Sequence, residues 1–283
     1  MQNRLIPLTL EQHQQILYEI LYMVDDFCKA HDIPFFLVGG SLLGAVRHQG
    51  IIPWDDDVDI AMTRDNYERF IKEFHAESVE GYELLDFRYK DGYLIPYAKM
   101  AKRNTKTSLE AIRKIYIDIF PYDGCADNLK RAQAYFTQSR QRVQRFMSFI
   151  DHGFTITDKR YNWKGKTYYF LTHFLSNLMS HYPMWLLRQT PKNFLEMMHY
   201  DFTKYGVSEK KYSANIIWGM YGKGEVQPSS SFLHLEEMRF GTRKLPVPSG
   251  WHNYLTGIYG DYMIPPPREK RRRHTDVSYL INY

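Results

Sequence analysis

Apolar residues recur at helical spacing over the first thirty residues of the chain. Thr9 and Gln12 have the spacing of a capping box and stand just before this apolar series. The pattern predicts a long amphipathic helix from Leu10 to Ala30. Its buried face is expected to consist of Leu10, Ile16, Leu17, Ile20, Leu21, Val24, Phe27 and Cys28.

Short apolar runs alternate with helical patterns as far as about Gly124. Strands are predicted by the runs "FFLVGG", "VDIAM", "YELLDF", "LIPYAKMA" and "IYIDIF". Helices are predicted over "SLLGAVRH", which begins at Ser41, and over "TRDNYERFIKEF", where Thr63 is the N-cap. We therefore expect an α+β fold in which helices flank a core of mixed β-sheet.

The pattern changes from about Asn128. A helix with a basic outer face is predicted over "LKRAQAYFTQSRQRVQRFMSFI", and residues 168–205 read as largely helical with breaks at Pro183 and Pro191. A hairpin turning at Gly241 and a capped helix over "SGWHNYLTGIYG" follow. These shifts divide the chain into a core (1–127), a helical insertion (128–230) and a C-terminal segment that completes the core (231–283).

Composition and charge narrow the class of protein. The formal net charge is +5, which suits an anionic substrate or an anionic membrane face and does not by itself call for nucleic acid. The two cysteines, Cys28 and Cys125, have no metal-ligand spacing. The N-terminal residues contain no apolar signal core, and no apolar run approaches the roughly 18 residues of a transmembrane helix. We expect a reduced, cytoplasmic protein.

Four aspartates within five residues, in "WDDDVDI", are the first candidate for chemistry. Alternation along a strand places Asp57 and Asp59 on one face, while Val58 and Ile60 point into the core. Two carboxylates side by side repel each other unless a cation lies between them, and Mg²⁺ favours carboxylate and phosphate oxygens. Asp55 and Asp56 are instead candidates for shaping the loop before the strand.

Two further motifs frame these aspartates. Asp118 stands alone in the apolar run "IYIDIF", either as a third carboxylate of the site or as a strand-end acid paired with an arginine. Upstream, "VGGS" joins a strand to a helix. Gly39 and Gly40 allow close approach of a ligand to the backbone, and Ser41 at the helix N-terminus would face a phosphate. A simple turn is the alternative for this motif.

The order of these motifs resembles the nucleotidyltransferase superfamily with a DNA polymerase beta-like fold. A closer resemblance is to the LicD family, whose best-known members are phosphocholine transferases of bacterial teichoic acids and lipopolysaccharides. It is carried by "GGSLLGAVRHQGIIPWDDDVDIAM", "YAKMAKRNTKT", "IDIFPYDG" and "YGDYMIPPPREKRRRH". These stretches lie between Val38 and His274, so the resemblance spans most of the chain.

The resemblance implies a reaction and a set of ligands. Asp57 and Asp59 would be the D-x-D metal ligands and Asp118 the third catalytic carboxylate, with Mg²⁺ as the metal and Mn²⁺ as the alternative. The donor would be CDP-choline or a related CDP compound. Phosphocholine would pass to a sugar hydroxyl of a lipid-linked glycan precursor, and CMP would leave. One carboxylate, with Asp118 as the candidate, would accept the hydroxyl proton.

Four other residues are candidates for binding or for shaping the site. Arg47 either grips a phosphate or holds the aspartates by an ion pair. Lys99 is a phosphate contact by similarity. Trp54 either packs the aspartate loop or stacks on the substrate. Arg271 belongs to the basic run "REKRRRH", which is either a solvated tail or a segment that folds back to bind phosphate, with the remainder touching anionic lipid.

A choline group would need aromatic faces or an acid around its quaternary ammonium. The chain offers many tyrosines, including Tyr93, Tyr97, Tyr116 and Tyr122, and the sequence does not select among them. Two alternatives to this function stay open. The first is another transfer reaction, either of a polyol phosphate from a CDP donor or of a nucleotidyl group, and the second is non-enzymatic binding of an anionic glycan.

For the enzyme we expect a cytoplasmic location, with peripheral contact at the inner membrane face as the alternative, and no nucleic-acid partner.

Overall fold

The structure is a computed structural model that describes residues 4–108, 114–150, 191–271, 273 and 277–282. The predicted helical stretch 168–190, including its break at Pro183, lies outside the described residues. No helix in the described part of the chain combines the length and apolar character that a membrane span requires.

The first helix, α1 (Leu10–Ala30), has the predicted bounds. The side chain of Thr9 accepts a hydrogen bond from the Gln12 backbone N–H, and the Gln12 side chain accepts one from the Thr9 N–H. These two bonds satisfy N–H groups that would otherwise lack partners at a helix start. The predicted face is buried from Ile16 to Cys28, with Leu17 and Leu21 fully enclosed, whereas Leu10 is only half-buried. The helix packs against the central strands of the main sheet.

Strands are distributed along the described chain from its beginning to its end. They are β1 (Arg4–Pro7), β2 (Phe36–Leu37), β3 (Asp59–Thr63), β4 (Tyr82–Leu85), β5 (Ala98–Lys102), β6 (Thr105–Thr107), β7 (Tyr116–Ala126), β8 (Tyr212–Ala214), β9 (Gln227–Pro228), β10 (Leu235–Phe240), β11 (Arg243–Pro248) and β12 (Ser278–Asn282).

Seven of these strands form the main mixed sheet, in the order β2-β3-β7-β5-β4, with β8 beside β7 and β9 beside β8. The pair β3 and β7 is parallel, and the other described pairs of this sheet are antiparallel. The long strand β7 is central because its first half pairs with β3 and β5 and its second half with β8. The sheet edge where β3 begins therefore lies beside the first half of β7.

The other described helices flank this sheet. They are α2 (Gly39–His48), α3 (Arg64–Glu77), α4 (Leu129–Ile150), α5 (Pro191–Phe202), α6 (Ser230–Leu233) and α7 (Trp251–Tyr259). Helix α3 buries Tyr67, Phe70 and Phe74 against β3 and β7, and α4 packs along β7. The hydrophobic core lies between these helices and the sheet.

Segments far apart in sequence close the fold. Strand β12 lies between β1 and β6 in a three-stranded sheet, so the last described strand pairs with the first. The buried His13 ring reaches this sheet from α1, with Nδ1 3.0 Å from Ser278 Oγ. The hairpin β10–β11 turns at Gly241, where φ is +68°, as predicted.

The mixed α+β class is therefore confirmed, as are the helices and strands that carry strong sequence patterns. Two bounds differ. Helix α2 begins at Gly39 and not at Ser41, and β7 continues past "IYIDIF" to Ala126, where it pairs with β8. The nucleotidyltransferase fold itself and the division at 127 and 230 stay predictions.

Candidate active site

Asp59 and Asp118 face each other across two neighbouring strands. They are direct partners in the parallel register of β3 and β7, and the Asp118 backbone N–H donates to the Val58 carbonyl at 2.9 Å. Side chains at paired register positions point to the same face of a sheet. The topology therefore brings together two carboxylates that are almost sixty residues apart in sequence.

Asp57 joins this pair from the loop before β3. Val58 and Ile60 are fully buried, whereas Asp57 and Asp59 keep part of their surface exposed, as the predicted alternation requires. Enclosure by the protein raises the pKa of Asp59 well above its usual value, and the charges of Asp57, Asp118 and Asp55 raise it further. The carboxylates therefore lie close enough to oppose each other's ionisation.

Helix α1 holds the loop that carries Asp55 and Asp56. The Gln14 side-chain amide donates to the carbonyl of Asp55 at 2.7 Å, and His13 Nε2 lies 3.0 Å from the carbonyl of Asp56. The Asp55 carboxylate accepts the Asp56 N–H at 3.2 Å and shares a hydrogen bond with the carboxyl group of Asp57. These contacts agree with the loop-shaping function expected of this pair.

The glycines of "VGGS" pack directly on the aspartates. Gly39 has φ of +53°, and a Cβ atom there would lie 3.1 Å from Asp59 Oδ2. A Cβ on Gly40 would lie 3.3 Å from Asp55 Oδ2. Ser41 Oγ accepts the Asp59 backbone N–H at 2.8 Å, so its hydroxyl fixes the start of β3. Phosphate binding by Gly39, Gly40 and Ser41 stays a prediction.

Lys99 provides a positive charge next to Asp118. The two residues are direct partners in the antiparallel register of β5 and β7, and Lys99 Nζ forms a salt bridge with the Asp118 carboxylate. Only 3% of Lys99 is exposed, and its ammonium lies 3.8 Å from the centre of the Tyr116 ring. Asp118 is thus paired with a lysine, whereas the alternative prediction names an arginine.

The predicted arginines lie beside Trp54, which precedes the aspartates. Arg47 Nη1 donates to the Tyr262 carbonyl at 2.7 Å, and no ion pair joins Arg47 to an aspartate in the described residues. Phosphate binding by Arg47 stays a prediction. The Arg271 guanidinium lies 4.0 Å from the centre of the Trp54 ring. The basic run thus folds back at Arg271 and covers the residue that precedes the aspartates.

A cavity of about 600 Å³ opens in front of the carboxylates. Asp57, Asp59, Asp118 and Lys99 line it, and so do three of the four tyrosines proposed from the sequence; Tyr93 instead donates its hydroxyl to the Tyr97 carbonyl. The aromatic residues of the lining are Tyr97, Tyr116, Phe120, Tyr122, Trp218, Tyr221 and Tyr254.

Several lining residues were missed at the level of sequence. Trp218, Tyr221, Glu225 and Tyr254 come from segments with no recognisable motif, and only the tertiary fold brings them to the aspartates. Thr107 also lines the cavity, and its buried hydroxyl has no hydrogen-bond partner among the described residues. A buried hydroxyl without a partner is costly, so a ligand that bonds to it would gain affinity.

Asp57, Asp59 and Asp118 are the predicted metal ligands at this cavity. In the described part of the chain, no group of three or more His, Cys, Asp or Glu side chains is arranged to hold a metal ion. The chemistry of the donors nevertheless fits Mg²⁺, because the cavity presents several carboxylate oxygens, and both burial and the neighbouring carboxylates raise the pKa of Asp59. Ligation by Asp57, Asp59 and Asp118 therefore stays a prediction.

Comparison with known proteins adds an independent observation. The family described as "LicD/FKTN/FKRP, nucleotidyltransferase domain" matches residues 32–157, which include the glycine motif and all the site aspartates. The chain is 30% identical over 283 residues to the lipopolysaccharide cholinephosphotransferase LicD of Haemophilus influenzae, and the alignment covers 97% of this chain and 99% of that protein. A shorter similarity, 56% identity over 34 residues, joins it to ribitol 5-phosphate transferase FKRP of mouse and human, covering 12% of this chain and 7% of each relative.

Proposed function

Since the chain belongs to the LicD family of enzymes, we propose that it transfers phosphocholine from CDP-choline to a hydroxyl of a cell-surface glycan precursor and releases CMP. The acceptor class is a lipopolysaccharide-type or teichoic-acid-type glycan. The observation that carries the proposal is the register pair Asp59 and Asp118 at a cavity with a largely aromatic lining. A nucleotidyltransferase-type arrangement of the core accounts for this placement of carboxylates.

The reaction is a phosphoryl transfer, which depends on positioning and on charge neutralisation. The acceptor hydroxyl oxygen forms a bond to the phosphorus that bears choline. The bond from that phosphorus to the bridging oxygen breaks, and CMP leaves with the electron pair. The hydroxyl proton passes to a carboxylate, for which we propose Asp118. Since CMP leaves and is not transferred, the reaction differs from ordinary nucleotidyl transfer.

The residues of the cavity have distinct proposed tasks. Asp57, Asp59 and Asp118 would hold Mg²⁺ or Mn²⁺, which when bound neutralises the diphosphate charge and stabilises the departing CMP. The ammonium of Lys99 lies beside Asp118 and would balance negative charge near the phosphate. Gly39 and Gly40 keep the backbone of α2 close to the aspartates, and the first N–H groups of this helix are a favourable place for phosphate oxygens.

A polyol phosphate is the second candidate for the transferred group. It is favoured by the short similarity to a ribitol 5-phosphate transferase. Incubation of the purified chain with labelled CDP-choline or CDP-ribitol, Mg²⁺ and glycan acceptors separates the two. We expect label from CDP-choline in the glycan and CMP in solution. Transfer from CDP-ribitol alone would overturn the choline assignment, and release of phosphocholine with CMP on the acceptor would indicate nucleotidyl transfer.

We also propose that a lipid-linked acceptor is met at an anionic membrane surface. Arg268, Lys270 and Arg273 are exposed in the C-terminal segment, and Met263 and Ile264 are exposed apolar residues a few positions earlier. Basic side chains next to exposed apolar ones suit the surface of an anionic bilayer. Sedimentation with phosphatidylglycerol vesicles is expected to retain the protein, and equal binding to phosphatidylcholine vesicles would contradict the electrostatic part of this proposal.

A further inference from the structure

Glu225 is a buried carboxylate in the same cavity that the proposed reaction does not use. It ends a short 3₁₀ helix, Gly222–Glu225, and only 3% of its surface is exposed. One carboxylate oxygen, Oε1, accepts the Tyr221 N–H at 2.9 Å. In the described part of the chain Glu225 has no salt-bridge partner within 4 Å, unlike Asp118 with its lysine.

An ionised carboxylate in this position is costly unless a cation reaches it. Burial raises the pKa of Glu225 to about 7, although the Tyr221 N–H and the more distant charge of Arg140 act in the opposite direction. The cavity that Glu225 lines is accessible to a ligand. A ligand cation entering the cavity would supply the missing positive charge.

Aromatic rings line the same cavity as this carboxylate, and several of them contact one another. Tyr122 donates its hydroxyl to the Tyr254 hydroxyl at 3.2 Å, and the charge of Glu225 raises the pKa of both phenols beyond the effect of burial. The Trp218 ring lies 5.2 Å from the Tyr97 ring, measured between centroids. The rings of Tyr122, Trp218, Tyr221 and Tyr254 therefore line one cavity together with Glu225.

Tyr221 connects this lining with the aspartates. Its surroundings raise the pKa of its phenol first by burial, and then through the carboxylates of Asp59, Asp57 and Glu225. The Tyr259 hydroxyl donates to the Tyr221 hydroxyl at 2.7 Å and fixes its position. The aspartates and Glu225 line one cavity, so a single donor molecule is able to reach both acidic groups.

We propose that Glu225 and the rings of Tyr122, Trp218, Tyr221 and Tyr254 bind the quaternary ammonium of the donor. This inference rests on the proposed phosphocholine transfer and gives it a specificity determinant. A trimethylammonium group donates no conventional hydrogen bond, and aromatic faces with a carboxylate are the groups that attract it. A neutral polyol would leave Glu225 without a counter-charge, so the site selects choline phosphate over ribitol phosphate.

The experiment compares CDP-choline with its neutral isostere, in which a tert-butyl group replaces trimethylammonium. Calorimetry with Mg²⁺ and without acceptor measures binding to the wild-type chain and to Glu225→Gln and Trp218→Leu. We expect the wild type to bind CDP-choline about tenfold or more tightly than the isostere. Glu225→Gln is expected to lose most of this preference, and Trp218→Leu to weaken CDP-choline binding. Glu236→Gln, at an exposed position on β10, is the matched control and should leave both affinities unchanged.

The outcomes separate this inference from the proposed function. Equal affinity of the wild type for the two compounds overturns the inference, whether or not the variants fold. So does a Glu225→Gln variant that keeps the wild-type preference and the wild-type KM for CDP-choline while CMP is released. If the wild type binds choline through Glu225 but never releases CMP from CDP-choline, the proposed transfer fails and the quaternary ammonium site stands.

Discussion

Asp59 on β3 and Asp118 on β7 occupy the same register position of a parallel strand pair, and Lys99 on β5 occupies the position opposite Asp118 on the other side. Three neighbouring strands thus place two carboxyl groups and one ammonium group side by side across the sheet. The repulsion among the aspartates is a cost of folding, and it is the physical reason to expect a cation in the cavity.

Asp59→Asn should separate catalytic importance from structural importance. The amide removes a carboxylate whose ionisation is opposed by burial and by Asp57 and Asp118. We expect kcat/KM to fall by about a thousandfold or more, because charge stabilisation at the phosphates is lost. In metal-free buffer the midpoint of unfolding should stay the same or rise. Asp91→Asn, in an exposed turn, is the control; a clear loss of stability in Asp59→Asn would show that Asp59 is primarily structural.

The salt bridge between Lys99 and Asp118 should be visible in stability. Lys99→Met leaves the Asp118 carboxylate without its lysine, and we expect a loss of about 3 kcal/mol in the free energy of unfolding. The double variant Lys99→Met with Asp118→Asn should regain much of this loss and remain inactive. Urea titrations measure both effects. Lys102→Met on the same strand, which breaks a partly exposed pair with Glu19, should cost less than about 1 kcal/mol.

Equal unfolding free energies for the single and double variants would contradict the coupling of Lys99 to Asp118. That result would make Lys99 a residue that packs on Tyr116 and has no electrostatic function at the site.

Gly39→Ala should affect both the backbone and the site. At φ of +53° an L-residue costs about 1–2 kcal/mol, and the new Cβ would press on Asp59 Oδ2 at 3.1 Å. We expect destabilisation together with a fall in kcat. Gly92→Ala is the matched control, since Gly92 has φ of +75° with open space around its Cβ position. It should lose similar stability and keep full activity; equal activities of the two variants would remove the special function of Gly39.

The pKa of Glu225 predicts how stability depends on pH. Its folded-state pKa of about 7 lies above the ordinary value of 4.5, so the folded protein binds the proton more tightly. This contribution is complete below pH 4.5 and is lost as pH rises through 7, at most about 3 kcal/mol. The groups facing Glu225 are Tyr122 on β7, Tyr254 on α7, Arg140 on α4 and neighbouring Tyr221.

This contribution can be isolated by measuring unfolding midpoints from pH 5 to pH 8 for the wild type and for Glu225→Gln. The two proteins share all their other carboxylates, so a difference between the curves comes from Glu225. The wild type should lose more stability than the variant over this range, and a choline compound should reduce the difference at pH 8. Parallel curves for the two proteins would show that Glu225 does not change protonation there.

The sequence predicts those features that depend on local patterns. The bounds of α1 follow from a capping box that needs no tertiary contact, and the alternation from Asp57 to Ile60 predicts which side chains are buried. The hairpin at Gly241 follows from a turn between two apolar runs. Long-range pairing is not encoded in this way. Strands β8, β9 and β12 have two to five residues each and exist because of their partners.

The same contrast between local patterns and long-range contacts applies to the residues of the candidate site. The aspartates and the glycine motif are visible in sequence because they are consecutive and of unusual composition. Trp218, Tyr221 and Glu225 are an ordinary tryptophan, tyrosine and glutamate until the fold places them at the cavity. Arg47 and Ser41 show the reverse case: their side chains suit a phosphate, but tertiary contacts give them partners in Tyr262 and Asp59.

The most direct test of the account is the release of CMP from CDP-choline in the presence of a lipopolysaccharide-type acceptor. Wild type, Asp57→Asn and Asp91→Asn are compared with Mg²⁺ and with EDTA. We expect CMP and phosphocholine-bearing glycan in equal amounts from wild type and Asp91→Asn with Mg²⁺, and neither product from Asp57→Asn or after chelation. Full turnover by Asp57→Asn, or turnover unaffected by EDTA, would contradict the proposed function of the aspartates.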